Sequence, residues 1–503
     1  MKLISRRVYA PILLLLLIIA SPLIDSCSNQ SPKQNAAQKF NVVMIVSDAL
    51  RQDVLSCYGG AARTPNIDWL AANGVLFENS YSTSPWTSPS AVSMFTGNYA
   101  TSYEYSVTGM HRVETAEPRT EYIDYPRIYV PNNELLFIEV LRQLGYATGM
   151  QIENISASMH DNLQGFDYLS QVKAAKQDAD RINRITNGGL YDSWQSSVGY
   201  WHSFYVMRHL SELDPARSFF ILHWILDPHA PYEPADKFMS RIAVDESMLP
   251  HARSHYLTKQ YDRPACTEAE QSFIRDLYIA EVESVDERVG FILEVLRQKN
   301  LLDSTYIVFT SDHGEQFGEH GLFEHGGHGL GCHFYEGLIR VPLIIAGPAV
   351  PAGKRIKNRI TLLRLMPTIK DLLGVAYKNE MQGQSLYPLI FGNPGNEEMI
   401  YLDDIQENDQ TDALLANNHK LIALRDGEFE LYDLVGDPQE QFNLSAQKPR
   451  IVESMFAQIT KMREDNRQRR NKNLNALGGN LRQMSDEEKQ KVIDKLKALG
   501  YIE

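Results

Sequence analysis

The chain has 503 residues, of which 43% are hydrophobic and 22% charged, and a formal net charge of −14. That length exceeds what one hydrophobic core usually serves, so a large domain with a smaller companion is expected. The acidity argues against a general nucleic-acid binder, because phosphate backbones select basic surfaces, but it leaves room for a small anion in a metal-bearing pocket.

At the N-terminus, Lys2, Arg6 and Arg7 precede the apolar run Ile12–Ala20, and Ser21, Pro22 and Ser26 lead to Cys27. Charged, apolar, then cleavable is the order of an export signal. The apolar run is too short to span a bilayer as a helix. Leu23-Ile24-Asp25-Ser26-Cys27 resembles a lipobox, after which Cys27 would be lipidated and residues 1–26 removed. The expected location is the periplasm or cell surface, with the membrane met only through a lipid anchor. Plain cleavage to a secreted enzyme is the alternative. Residues 27–39 are polar and read as a tether. The remaining Cys57, Cys266 and Cys332 are too few, and odd in number, to form a disulfide framework.

From Phe40 onward, short apolar runs alternate with helical patterns, which predicts an α/β fold with a large, mostly parallel sheet between helices. Val42–Val46 is a buried-strand run ending at Ser47-Asp48. Phe219–Leu226 ends at Asp227-Pro228-His229, and Thr305–Ser311 ends at Asp312-His313. Val341–Gly347 is a further strand candidate, and Ser272–Arg297 repeats apolar residues at helical spacing. Three strands thus finish in metal-competent residues on their carboxyl side, the edge where open α/β sheets bind ligands. The catalytic domain is expected over residues 40–377. A small antiparallel sheet subdomain is expected over 378–450, from the strand candidates Met399–Leu402, His419–Leu424 and Phe429–Tyr432. A charged helical tail follows over 451–503. Within it, Lys461–Asn473 reads as a solvated helix or disordered stretch, and Asp486–Leu499 as an amphipathic helix.

The segment Ser311–His333 holds five of the 14 histidines, and its glycines let the backbone bend tightly around a bound group. Asp312 and His313 supply an oxygen and a nitrogen directly at a strand end. Together with VVMIVSDALRQDVLSCYG, WTSPSAVSMFTG, ILDPHAPYEP, DHGEQFGEHG, LLRLMPTIKDLLGV and ELYDLVGDPQEQFNL in that order of function and chain, this arrangement resembles the sulfatases, a branch of the alkaline phosphatase superfamily, from about Asn41 to Asn443. The resemblance implies that Asp48, Asp312, His313 and the nucleophile position bind one divalent cation. Mostly oxygen ligands favour Ca²⁺, with Mg²⁺, Mn²⁺ and Zn²⁺ also compatible. It further implies that His229 and one of His325 or His328 hold the ester or protonate its leaving oxygen.

Three residues depart from the family pattern. The usual signature is Cys or Ser, any residue, Pro, Ser, Arg, with Thr-Gly closing it, whereas this chain has Thr87-Ser88-Pro89-Ser90-Ala91 before Thr96-Gly97. Threonine is a secondary alcohol and cannot yield the formylglycine aldehyde, so none is expected. Ala49 also stands where many members carry a second aspartate. The expected function is therefore metal-dependent hydrolysis of sulfate or phosphate esters with Thr87 as the nucleophile. On chemical grounds, phosphate esters are expected to react at least as well as sulfate esters. The substrate is a small anionic ester, on a glycan or a lipid. A phosphoalcohol transferase and a non-catalytic surface glycan binder are the alternatives.

Overall fold

In the computed structural model, residues 40–476 are described except 107–109, 115–119, 125–126, 131–135, 154–163, 169–197, 215, 243–266, 326–332, 393–394, 396–398, 406–410 and 425. The expected export signal and tether, the helix at 486–499, His328, Cys266, Cys332 and most of the segment 171–201 lie outside the described residues.

The predicted central sheet forms, with eight strands. These are β1 (Asn41–Ser47), β2 (Gly74–Tyr81), β3 (Ala147–Ile152), β4 (Asp167–Tyr168), β5 (Phe219–Ile225), β6 (Thr305–Ser311), β7 (Leu343–Ala346) and β8 (Lys354–Thr361). Their order across the sheet is β8-β2-β7-β6-β1-β5-β3-β4. Every neighbouring pair runs parallel except the two made by β7, which is antiparallel to both β6 and β2. Successive side chains of a strand point to opposite faces, and β1 shows the consequence. Val43 and Ile45 join one apolar core, while Val42, Met44 and Val46 join the other. A strand buried on both faces has no polar side to show, which is why VVMIV is apolar throughout.

Helices cover both faces. On one side lie α1 (Pro65–Ala72), with Ile67 and Leu70 in that core, and Tyr200, Phe204 and Leu277 from other segments. The helix running over Glu268–Gln298 is longer than its predicted core, because Thr267 caps it, accepting from the backbone of Glu270 while Glu270 returns a bond to Thr267. On the other side lie α2 (Thr87–Thr96) and α3 (Leu365–Leu373).

A second sheet of four antiparallel strands follows: β9 (Ile400–Asp403), β10 (Asp412–Ala416), β11 (His419–Ala423) and β12 (Phe429–Asp433). Sequence patterning marks three of these but not β10, whose DALLA stretch is built from residues with weak strand preference. It becomes a strand because it pairs on both sides. The last helix, α4 (Pro449–Ala476), packs Val452, Met455 and Ile459 against one face of this sheet. Its charged half is not wholly solvated: Asn466 is buried, and Arg463 pairs with Asp412. No helix among the described residues is long and apolar enough to cross a membrane.

Candidate active site

Register brings the candidate residues together. Ser47 of β1 lies opposite Ser311 of β6 and Ile225 of β5. The next residues, Asp48 and Asp312, therefore leave the sheet side by side at its carboxyl edge, with the Asp227–His229 turn next to them. Ala49 adopts a positive φ of 54°. Its N–H donates to Asp312 Oδ1 at 3.2 Å, and its carbonyl accepts from the Tyr278 hydroxyl at 2.7 Å. The position that lacks a second aspartate thus serves as a backbone brace between the two strand ends.

Asp48, Asp312 and His313 are fully buried, and one ligand atom from each lies within 4.8 Å of the others. Burial, followed by the nearby Asp312 charge, pushes the Asp48 carboxyl up to about 6. Burial likewise pushes Asp312 up to about 7, although the N–H groups of Ala49 and His313 partly offset it. His313 Nδ1 lies 2.8 Å from the carbonyl oxygen of Gly314. A carbonyl can only accept, so Nδ1 carries the proton and Nε2 presents its lone pair. Burial, with the neighbouring His325, holds this imidazole down at about 3, and it stays neutral. Nε2 lies 3.5 Å from Asp48 Oδ1 and 3.3 Å from Asp312 Oδ2.

Three electron-rich atoms thus converge in a buried site. Such a cluster repels itself unless a positive charge sits at its centre. Two carboxylates and a neutral imidazole are a donor set that fits a divalent cation. Trp224 Nε1 donates to Asp48 Oδ2 at 2.9 Å and so orients this carboxylate from behind.

Thr87 enters from the helix side. It is the first residue of α2, buried, and its Oγ1 lies 3.2 Å from His313 Nε2. Pro89 is tolerated because the first-turn N–H groups have no intrahelical partner, and Gly97 closes the helix at φ 70°. Ser90, one turn on, fastens α2 to the strand edge by donating to the carbonyl of Asp312 at 2.6 Å. Ala91, where the family pattern has arginine, is buried in the apolar core and reaches nothing in the site.

His229 is buried, with Nδ1 2.6 Å from the carbonyl of Ala230. The His325 ring packs against both of the other imidazoles, 4.7 Å from His229 and 4.3 Å from His313, centre to centre. The structure therefore gathers Asp48, Thr87, His229, Asp312, His313 and His325 in one place. His320 and His333 instead stack on Tyr335.

Sequence reasoning missed Trp224, Ser90, Glu315 and Arg288. Glu315 is fully buried with both carboxylate oxygens 3.3 Å from His325 Nδ1, and it accepts from Tyr232 at 3.2 Å. Burial raises it to about 7. Arg288, in the middle of a long helix, is fully buried and pairs with Glu153 and with Asp227 of the His229 turn. A charged residue on an otherwise apolar helical stripe was the available signal for it. Glu315 follows the Asp312-His313-Gly314 motif directly, and nothing in its spacing marks it.

The sequence profile of the family described as Sulfatase matches residues 40–375, and that described as N-sulphoglucosamine sulphohydrolase, C-terminal, matches residues 318–466. A choline-sulfatase of Rhizobium meliloti is 26% identical over 470 residues, covering 82% of this chain and 83% of its own. An arylsulfatase K of Xenopus laevis is 28% identical, covering 83% of this chain and 81% of its own. Among solved structures, the phosphonate monoester hydrolase of Agrobacterium radiobacter superposes with a TM-score of 0.62 at 20% identity, covering 85% of this chain and 96% of its own. A protein in complex with its substrate D-glucosamine-2-N,6-O-disulfate also gives 0.62 at 20% identity, covering 86% and 98%.

Proposed function

Since the chain belongs to the sulfatase family, we propose that it hydrolyses a sulfate ester by nucleophilic attack of Thr87, at a site built on Asp48, Asp312 and His313. The observation that carries this reading is the placement of Thr87 Oγ1, 3.2 Å from His313 Nε2 and at the mouth of the buried carboxylate pair. Asp48, Asp312 and His313 would hold a divalent cation, Ca²⁺ by preference, whose positive charge would lower the hydroxyl pKa of Thr87 and offset charge on the transferred group.

In the first step, Thr87 gives up its hydroxyl proton to solvent, its Oγ1 bonds to sulfur, and the bond from sulfur to the leaving oxygen breaks. The leaving oxygen takes a proton from an imidazole, and His325 and His229 are the two placed to give it. The alcohol departs and a sulfated threonine remains. In the second step, water attacks the same sulfur, one of its protons returns to the imidazole that donated in the first step, the other goes to the departing threonine oxygen, and sulfate is released. Glu315 holds His325 Nδ1, which leaves Nε2 to face the ester. Phosphonate and phosphate esters undergo the same two displacements at phosphorus; the tetrahedral centre is similar in shape and size, although a phosphate monoester carries one more negative charge near neutral pH than a sulfate monoester. A relative named choline-sulfatase, and a neighbour bound to a sulfated glucosamine, support an anionic ester on a small alcohol or a sugar. We further propose that the chain is exported and held at a membrane by lipid on Cys27, on the strength of residues 1–27.

The test is a paired assay of aryl sulfate, aryl phosphate and phosphodiester substrates on the wild type and on Thr87→Ala. Thr87→Ala should lose at least a thousandfold in kcat with metal content unchanged, as expected when covalent catalysis is removed, about 10³ or more. Thr87→Ser should keep part of the activity. Full activity in Thr87→Ala would show that water or another hydroxyl attacks directly.

A further inference from the structure

The nucleophile helix is held from behind by the second sheet. The residue before Thr87 is Trp86, in extended conformation, and its carbonyl accepts the first bond of α2 from the N–H of Ser90 at 3.4 Å. Wherever Trp86 sits, Thr87 must follow. The indole runs into a small apolar cluster with Val92, Ala100, Tyr103 and Ile405, and its Nε1–H donates to Asp404 Oδ1 at 2.7 Å. Asp404 follows directly on β9, and both partners are buried.

The neighbouring residue makes the same connection twice more. The N–H of Asp403 donates to the carbonyl of Thr83 at 3.0 Å, ahead of α2, and its carboxyl accepts from Thr101, beyond α2. Asn466 of α4 then donates to Thr101 Oγ1 at 2.8 Å. Chain on both sides of the nucleophile helix is therefore tied to one strand end of the second sheet. A carboxylate is costly to bury, and an apolar residue would pack against an indole at lower cost. What a carboxylate adds is direction: it fixes the rotation of the indole, and with it the start of α2.

We propose that Asp404 is a positioning residue for catalysis, which acts through Trp86 to hold Thr87 Oγ1 in line with the ester. This inference rests on Thr87 being the nucleophile. It assigns to the second sheet a part in the rate of the chemical step, since small displacements of an attacking atom are expensive.

The experiment measures kcat and KM for an aryl sulfate, with thermal midpoint and bound metal, on Trp86→Phe, Asp404→Leu, Asp404→Asn and the Trp86→Phe/Asp404→Leu pair. Trp86→Phe removes the N–H together with part of the indole's bulk, so the thermal midpoint and the double variant separate loss of the bond from loss of packing. Trp86→Phe and Asp404→Leu should each lower kcat about tenfold with KM changed less than about twofold, the split expected for an interaction that matters only in the transition state. The double variant should be no worse than the poorer single one, because the two residues act as one unit. Asp404→Asn, which keeps an acceptor, should recover most of the rate. If Asp404→Leu does not fold, Trp86→Phe alone and combined with Asp404→Asn carries the same comparison. A rise in KM would show that Asp404 meets the substrate directly, and multiplying losses would show independent roles. Unchanged kcat in Trp86→Phe would mean that the bond is only structural. Each of these overturns the inference. Thr87→Ala, measured alongside, separates the two readings. If it is inactive while the Trp86 and Asp404 variants run at full rate, only the positioning role falls. If it is active, the nucleophile assignment falls first.

Discussion

Cation binding at the Asp48, Asp312 and His313 cluster should depend on pH with a slope that the geometry sets. Without a cation, burial holds the Asp48 carboxyl at about 6 and Asp312 at about 7, both raised from 3.8. A carboxyl raised in the folded state contributes stability below its unfolded value and loses it as pH climbs through the folded value. The metal-free protein is thus strained by this pair above pH 7, and a cation relieves that strain. At pH 8 both carboxylates are already ionised and a cation displaces almost no protons. At pH 5 it must displace nearly two. One unit below a value near 6 weakens affinity about tenfold and two units below a value near 7 about a hundredfold, so affinity should fall about a thousandfold between pH 8 and pH 5, or about 4 kcal/mol. His313 does not contribute, since it is held at about 3 and stays neutral throughout this window. Other buried acids, such as Asp286 at about 7 and Asp403 at about 8, bend the overall stability curve but titrate alike with and without the ion. The assay is calorimetric titration of chelator-stripped protein with Ca²⁺ or Mn²⁺, in buffers of different ionisation enthalpy so that released protons are counted. Equal affinity at the two pH values, or proton release that persists in an Asp48→Asn/Asp312→Asn variant, would refute the reasoning.

His325→Ala should slow substrates with poor leaving groups far more than activated aryl esters, by about 10² against less than tenfold, if it donates the proton; a series of phenols of graded acidity reads this directly. Arg288→Met should destabilise the fold by about 3–5 kcal/mol, because it leaves the buried Glu153, and the partly buried Asp227, without their cation. Urea unfolding would measure that loss. The mature chain should begin at a lipidated Cys27, and mass spectrometry showing an unmodified Cys27 or cleavage elsewhere would argue against the anchor.

Much of the site was legible in the sequence because its residues sit at strand ends. An apolar run that stops at Asp48, or at Asp312-His313, marks both the strand and the edge at which it finishes. The family pattern then singled out Thr87, His229 and one of His325 or His328, of which the described residues include only His325. What the chain order could not show was the company these residues keep. The direction of β7 was open, since an apolar run looks the same either way along the sheet. The DALLA strand was invisible because pairing on both sides, rather than its own preference, makes it extended.

The sequence by itself therefore determined the α/β class, the strand-end edge that carries the candidate site, the candidate cation ligands and the threonine at position 87, since each depends on local residue type and spacing. Tertiary structure alone decided that Trp224 orients Asp48, that Glu315 holds His325 and that Asp404 anchors Trp86. The partners in these pairs lie 176, 10 and 318 residues apart in the chain. Trp224 and Asp404 are drawn to the site by strand register and sheet packing, and Glu315 by the turn after β6. Burial did the rest: it turns ordinary carboxylates into a pair whose charge calls for a cation, and burial is a property of the folded chain.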